Sequence, residues 1–195
     1  MFKQEDAVKY FREHEGVVGH MYLDVVGLVT IGVGFMLPNA AAALALELVR
    51  RDSGAAATDG EKAQDWESVH AQEKAKLAST YKKFTKLDLP DSEVDLELES
   101  RLDDFARNLR QRFPKFDRFP DQAQIGLLDM IYSLGPRGLF NGFPTFCSAV
   151  DVQDWKTCAQ EGVRRNVSAG RNSDLQQLFL DAAEIAGTGV TEATP

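Results

Sequence analysis

Apolar residues recur at helical spacing through most of the chain, and the places where that spacing breaks locate the remaining elements. Over residues 4–15, Ala7, Val8 and Phe11 share one side, with Lys9, Arg12 and Glu13 opposite. This predicts a short amphipathic helix that stops at Gly16. Residues 16–34 (GVVGHMYLDVVGLVTIGVG) hold five glycines and many β-branched side chains. They read as short strands joined by tight turns, with Gly27 as a turn glycine. Pro38-Asn39 closes this part, and Asn39 is placed to cap a second helix over residues 39–51.

The small residues of 53–60 form a connector, followed by a polar helical stretch over 61–84 that reads as a solvated face. Leu89-Pro90 breaks the chain, and an amphipathic helix over 93–113 carries Val94, Leu96, Leu98, Leu102 and Phe105. Phe113-Pro114 ends it. A strongly apolar helix then runs over 122–134 and stops at Gly135-Pro136. Short helices are predicted over 144–150 and 153–162, and a last one over 172–186. The expected plan is one α+β domain, mostly helical. It comprises a helix and β-rich element over 1–40, a helical connecting region over 41–120, a helical C-terminal lobe over 121–186 and a tail over 187–195.

Composition narrows the class. Of 195 residues, 44% are hydrophobic and 27% charged, which fits a folded globular chain and excludes disorder throughout. There is no apolar run long enough for a membrane-spanning helix. The formal net charge of -8 argues against a nucleic-acid binder, which needs a basic face to neutralise phosphates. Cys147 and Cys158 are too far apart for a Cys-x-x-Cys redox motif and have no histidine partner for zinc. They read as small buried side chains, with a disulfide as the alternative. No metal spacing and no cofactor motif stand out. The first ten residues, MFKQEDAVKY, lack the basic and apolar regions of a secretory signal.

The chemistry concentrates between Glu15 and Gly34. Glu15 falls at the C-terminal end of the first helix, where the helix dipole and nearby Phe11 and Met21 favour a neutral carboxyl, as a general acid requires. Asp24, nine residues on, sits by a turn in a wetter setting that favours its ionised form. Thr30 is on the returning strand, where the hairpin is expected to bring its hydroxyl near Asp24. Two carboxyl groups in opposed environments suit glycoside hydrolysis: one protonates the leaving oxygen, and the other directs a water to the opposite sugar face. His14 and His20 flank the site and read as solvated side chains, with a general-base role as the alternative.

Glu15-Gly16, Tyr22-Leu23-Asp24 and Gly27-Leu28-Val29-Thr30-Ile31-Gly32-Val33-Gly34 resemble, in order and spacing, the active-site segment of the phage T4-type lysozymes of glycoside hydrolase family 24. A looser likeness covers residues 120–182, including the apolar helix ending in Tyr132-Ser133-Leu134-Gly135, Gly142-Phe143, Trp155, Arg164 and Gly170-Arg171. The resemblance implies a two-lobed lysozyme-like fold with Glu15 at the floor of a cleft. It also implies inverting cleavage of the β-1,4 bond between MurNAc and GlcNAc in peptidoglycan. Glu15 is then the general acid, with Asp24 and Thr30 holding the attacking water. By the same likeness Gly34, Met36, Tyr132 and Ser133 line the sugar cleft, and Arg164 and Arg171 contact peptide or carboxylate groups. Phe35 stands where the family usually has His, and Ser133 where it has Asn or Gln.

The resemblance further implies a monomer made in the bacterial cytoplasm that acts on the cell wall. A holin would deliver it as a phage endolysin, or a secretion system as an antibacterial effector with an immunity protein as partner. The alternatives are a chitinase-like or lytic transglycosylase-like enzyme, and a lysozyme-like module that binds the wall without cutting it.

Overall fold

A computed structural model describes residues 3–165 and 167–188. The architecture is α+β and mostly helical, with a three-stranded antiparallel sheet and a separate two-stranded one. The chain divides into two compact units. One is Tyr10–Leu98, and the other joins the residues up to Lys9 to those from Glu99 onward. The division therefore falls within helices α1 (Gln4–Glu15) and α4 (Asp91–Arg112). Among the described residues, no helix is long and apolar enough to cross a membrane.

In the unit 10–98, α1 ends at Glu15, and Gly16 follows at φ 67°. That left-handed conformation terminates helices and suits glycine. Strands β1 (Val18–Leu23), β2 (Val29–Gly32) and β3 (Phe35–Met36) form an antiparallel meander in the order β1-β2-β3. The register pairs Tyr22 with Thr30 and Leu23 with Val29, then Thr30 with Met36. Met21, Leu23, Val29, Ile31, Val33 and Phe35 are buried from this segment, together with Phe11 of α1.

The next stretch departs from its helical expectation. Helix α2 spans only Ala40–Leu44, capped by the Asn39 side chain, which accepts from the Ala42 N–H at 3.0 Å. Val49–Arg50 is instead a strand, β4, paired antiparallel with β5 (Leu87–Asp88). Tertiary pairing overrides the helix propensity of the alanine run. Leu48 is buried beside β4, Arg50 forks onto Glu61, and Arg51 forks onto Asp88.

The polar stretch after 60 is not one solvated helix either. Helix α3 (Asp59–His70) starts in a capping box between Thr58 and Glu61 and buries Lys62, Asp65, Trp66 and Val69. The Lys62 Nζ donates to the Leu44 carbonyl at 3.2 Å, satisfying the end of α2. The Trp66 indole donates to the Leu37 carbonyl at 2.9 Å and ties α3 to the exit of the sheet. A 3-10 helix, Ala78–Phe84, replaces the expected continuation, anchored by buried Tyr81, whose hydroxyl donates to the Glu73 carbonyl.

In the second unit, the expected helices appear with small shifts: α4, α5 (Asp121–Gly142), α6 (Pro144–Asp151), α7 (Trp155–Glu161) and α8 (Ala169–Thr188). α5 breaks at Gly135, where φ is 68° and ψ 166°, and Pro136 opens a further helical segment that the sequence pattern does not announce. Of the expected tail over 187–195, Gly187 and Thr188 close α8, and residues 189–195 lie outside the described ones. Trp155 is buried against Phe119 and Phe179, with ring centroids 5.0 and 6.3 Å away. Cys147 and Cys158 are buried free thiols, and burial pushes the Cys158 thiol up to about 12.

At the centre of this unit Asp129 of α5 is fully buried. It receives Arg164 Nη2 at 2.7 Å on one carboxylate oxygen and Arg171 Nε at 2.8 Å on the other. The Arg164 side chain is only 2% exposed. Removing one partner from such a set strands a charge out of water, at a cost of about 3–5 kcal/mol. Asp129→Ala is expected to lower the unfolding free energy by that amount in urea titration. Asp117→Asn, which breaks only the exposed ion pair with Arg110, is expected to cost under about 1 kcal/mol.

Candidate functional site

The hairpin between β1 and β2 is built around one carboxylate. Asp24 Oδ1 accepts hydrogen bonds from the backbone N–H groups of Val26 (2.9 Å), Gly27 (2.8 Å) and Leu28 (2.8 Å). The Asp24 backbone closes the turn from both sides. Its N–H donates to the Leu28 carbonyl at 3.0 Å, and its own carbonyl accepts from Gly27 at 3.1 Å. Gly27 takes φ 95° within this loop, a conformation that costs a residue with a Cβ. All three bonds to the side chain land on a single oxygen. Among the described residues Oδ2 has no protein partner, and Asp24 is half-buried.

Thr30 follows on β2 and is 3% exposed. Its hydroxyl donates to the Leu28 carbonyl at 3.1 Å and makes no hydrogen bond to Asp24. The two residues are therefore linked through one peptide: Leu28 gives its N–H to Asp24 and accepts from Thr30 and Asp24 through its carbonyl. The sequence pattern expects the pair to meet directly, and it misses this intermediary.

Glu15 lies half-buried at the last position of α1, with Gly16 and Val17 between it and the start of β1 at Val18. Its relation to Asp24 is read at Tyr22, which faces Thr30 across the ladder. Burial raises the Tyr22 phenol above its ordinary value, and the negative charges of Asp24 and then Glu15 raise it further. Both carboxylates therefore act on the same phenol from opposite ends of β1. Gly34 occupies the turn between β2 and β3 at φ 90°, and Met36 is exposed on β3 opposite Thr30.

His20 is buried rather than solvated, with Nε2 at 2.9 Å from the Ala78 carbonyl. The His14 ring stacks on Tyr10 at 4.2 Å. Among the described residues, no group of three or more His, Cys, Asp or Glu side chains is arranged to hold a metal ion.

The remaining candidate residues belong to the other unit and gather at two places. Tyr132 meets the Phe105 ring edge-on at 5.8 Å, with the Arg101 guanidinium over its face at 5.5 Å. Ser133 donates to the Asp129 carbonyl at 3.0 Å and accepts from Arg164 Nη1 at 2.7 Å. Arg164 and Arg171 converge on Asp129, so both guanidinium groups are held by one internal carboxylate. Asp129 itself escapes the sequence reading. Its signal is a lone acidic residue within the apolar run Ile125–Ile131. No protein-family model matches the chain, and no curated protein matches it.

The shared environment of Tyr22 gives a direct readout. Asp24→Asn removes a negative charge that opposes phenolate formation. The ionisation of Tyr22, followed by NMR of ring-labelled tyrosine, is expected to move to lower pH. Glu15→Gln is expected to move it the same way by a smaller amount. No movement in either variant would show that the carboxylates do not act on this phenol.

Proposed function

We propose that this protein is a muramidase that hydrolyses the β-1,4 bond between MurNAc and GlcNAc in peptidoglycan. The observation that carries the reading is the Asp24 turn. It spends one carboxylate oxygen on three backbone N–H groups, leaves the other open, and lies within electrostatic reach of the phenol that also feels Glu15. The order and spacing of Glu15, Asp24 and Thr30, which resemble the T4-type lysozymes, support the same chemistry.

In this reading Glu15 protonates the glycosidic oxygen as the bond breaks. Asp24 accepts a proton from a water through Oδ2, and that water attacks the anomeric carbon from the opposite face. Thr30 helps to hold the water and fixes the Leu28 peptide that shapes the turn. The product inverts its configuration and carries a reducing-end MurNAc. Delivery to the wall is by a holin or a secretion machine, in phage lysis or in bacterial antagonism, with an immunity protein as the partner in the latter.

Digestion of purified peptidoglycan tests the assignment. Glu15→Gln and Asp24→Asn are each expected to reduce hydrolysis by about 10²–10⁴-fold while the circular dichroism spectrum stays that of wild type. Glu15→Gln cutting at the wild-type rate would sink the mechanism. Anhydro-sugar products would identify a lytic transglycosylase, and chitin cleavage without peptidoglycan cleavage a chitinase-like enzyme. Binding to the wall without any product would identify a non-catalytic module.

The net charge of -8 gives no bulk attraction to a carboxylate-bearing polymer. Activity is therefore expected to fall less steeply with added salt than that of a basic lysozyme. A steep loss between low and moderate salt would contradict this.

A further inference from the structure

The unit 10–98 contains a cavity whose lining does not include Glu15, Asp24 or Thr30. A cavity of about 690 Å³ opens where α3 meets the β4–β5 ribbon. Its volume is in the range of sites that take small organic ligands. Charges of both signs line it, and most of their hydrogen-bonding capacity is already used. Arg51 is fully engaged by Asp88, the Thr85 hydroxyl and three carbonyls. Glu61 is held by Arg50 and Thr58, which keep its carboxyl down at about 2.

What remains open defines the ligand. Asp65 is 5% exposed, and its Oδ2 accepts the N–H groups of Lys86 (2.8 Å) and Leu87 (2.9 Å). Its Oδ1 has no protein partner among the described residues, and the side chain lines the cavity. Burial pushes this carboxyl up, in the direction expected of an incompletely compensated negative charge. Toward solvent, Arg50 Nη1 and the exposed Lys86 ammonium have no hydrogen-bond partner among the described residues, and the Lys86 charge acts on Asp65. The cavity therefore offers an open acceptor on a buried carboxylate and two open cationic donors.

We propose that this cavity binds a zwitterionic ligand of the amino-acid or short-peptide class, its ammonium on Asp65 and its carboxylate on Arg50 and Lys86. Neither charged half alone suits the site. A phosphate or other dianion at the two cations would face the Asp65 and Asp52 carboxylates, and a simple cation would leave the Lys86 ammonium and the open Arg50 Nη1 without an acceptor. Among the described residues no aromatic side chain lines the cavity, which sets it apart from sites that stack a sugar ring. The site is independent of the hydrolase reading, and each can fail without the other.

The test is an NMR titration of the ¹⁵N-labelled full chain with dialanine. The Lys86 and Leu87 amides, which donate to Asp65, serve as reporters. Dialanine is expected to shift both amides saturably. N-acetyl-dialanine, which lacks the ammonium, and dialanine amide, which lacks the carboxylate, are expected to bind at least tenfold more weakly. Lys86→Met, at an exposed position whose ammonium has no hydrogen-bond partner to lose, is expected to weaken dialanine binding by a similar factor, and Asp65→Asn to abolish it. Alanine and tetraalanine then distinguish a free amino acid from a longer peptide. Equal binding of the blocked peptides, preferential binding of chitobiose at these amides, unchanged affinity in Lys86→Met, or no saturable shift with dialanine would each overturn the proposal.

Discussion

A backbone N–H or a charge taken out of water has to find a partner inside the protein, and in this chain that requirement falls heavily on irregular segments. Regular helices satisfy their own groups, whereas the β1–β2 hairpin turn and the short β4–β5 ribbon do not. Each is completed by a carboxylate. Asp24 gathers the three N–H groups of its turn, and Asp65 reaches from α3 to take the first two N–H groups around β5. A five-residue loop and a two-residue strand are too short to hold their shape by ladder bonds alone. The side chains that fix them are consequently part of the backbone's own bonding.

This explains which parts of the fold are legible in the sequence. The helices of the second unit follow from apolar periodicity and from local stop signals such as Phe113-Pro114, and those signals act within a few residues. Asn39 as a cap and the glycines at 16 and 27 are legible for the same reason: each meets a local conformational demand. The strand at Val49–Arg50 is not, because the alanines before it favour helix and its partner lies almost 40 residues downstream. Its formation depends on Arg51 finding Asp88 and on Leu48 being buried, both of which are long-range events. The 3-10 helix at Ala78–Phe84 is hidden in the same way, since its anchors are the buried Tyr81 and the His20 contact across the unit.

The candidate site is legible in part for a related reason. Glu15, Asp24 and Thr30 sit on one continuous stretch of helix, turn and hairpin, so the elements that carry them follow from local pattern. The role of the Leu28 peptide does not show in the sequence, because any residue supplies an N–H and a carbonyl. Nor does the enclosure of Arg164 and Arg171 by Asp129. Arginines on a surface and arginines around a buried acid look alike until the burial of the acid is known.

The three aspartates that the fold draws inward differ in how their oxygens are used. Asp129 has both oxygens occupied by guanidinium groups and none left over, so it anchors a core. Asp24 and Asp65 each spend one oxygen on backbone N–H groups and keep the other without a protein partner. An oxygen held rigidly by its neighbour's bonds, yet free itself, has a fixed position and unspent acceptor capacity. Those are the properties needed to orient a water or to receive an ammonium. Asp24 and Asp65 thus share one bonding pattern within the unit 10–98, a carboxylate that braces an irregular backbone segment with one oxygen and keeps the other without a protein partner.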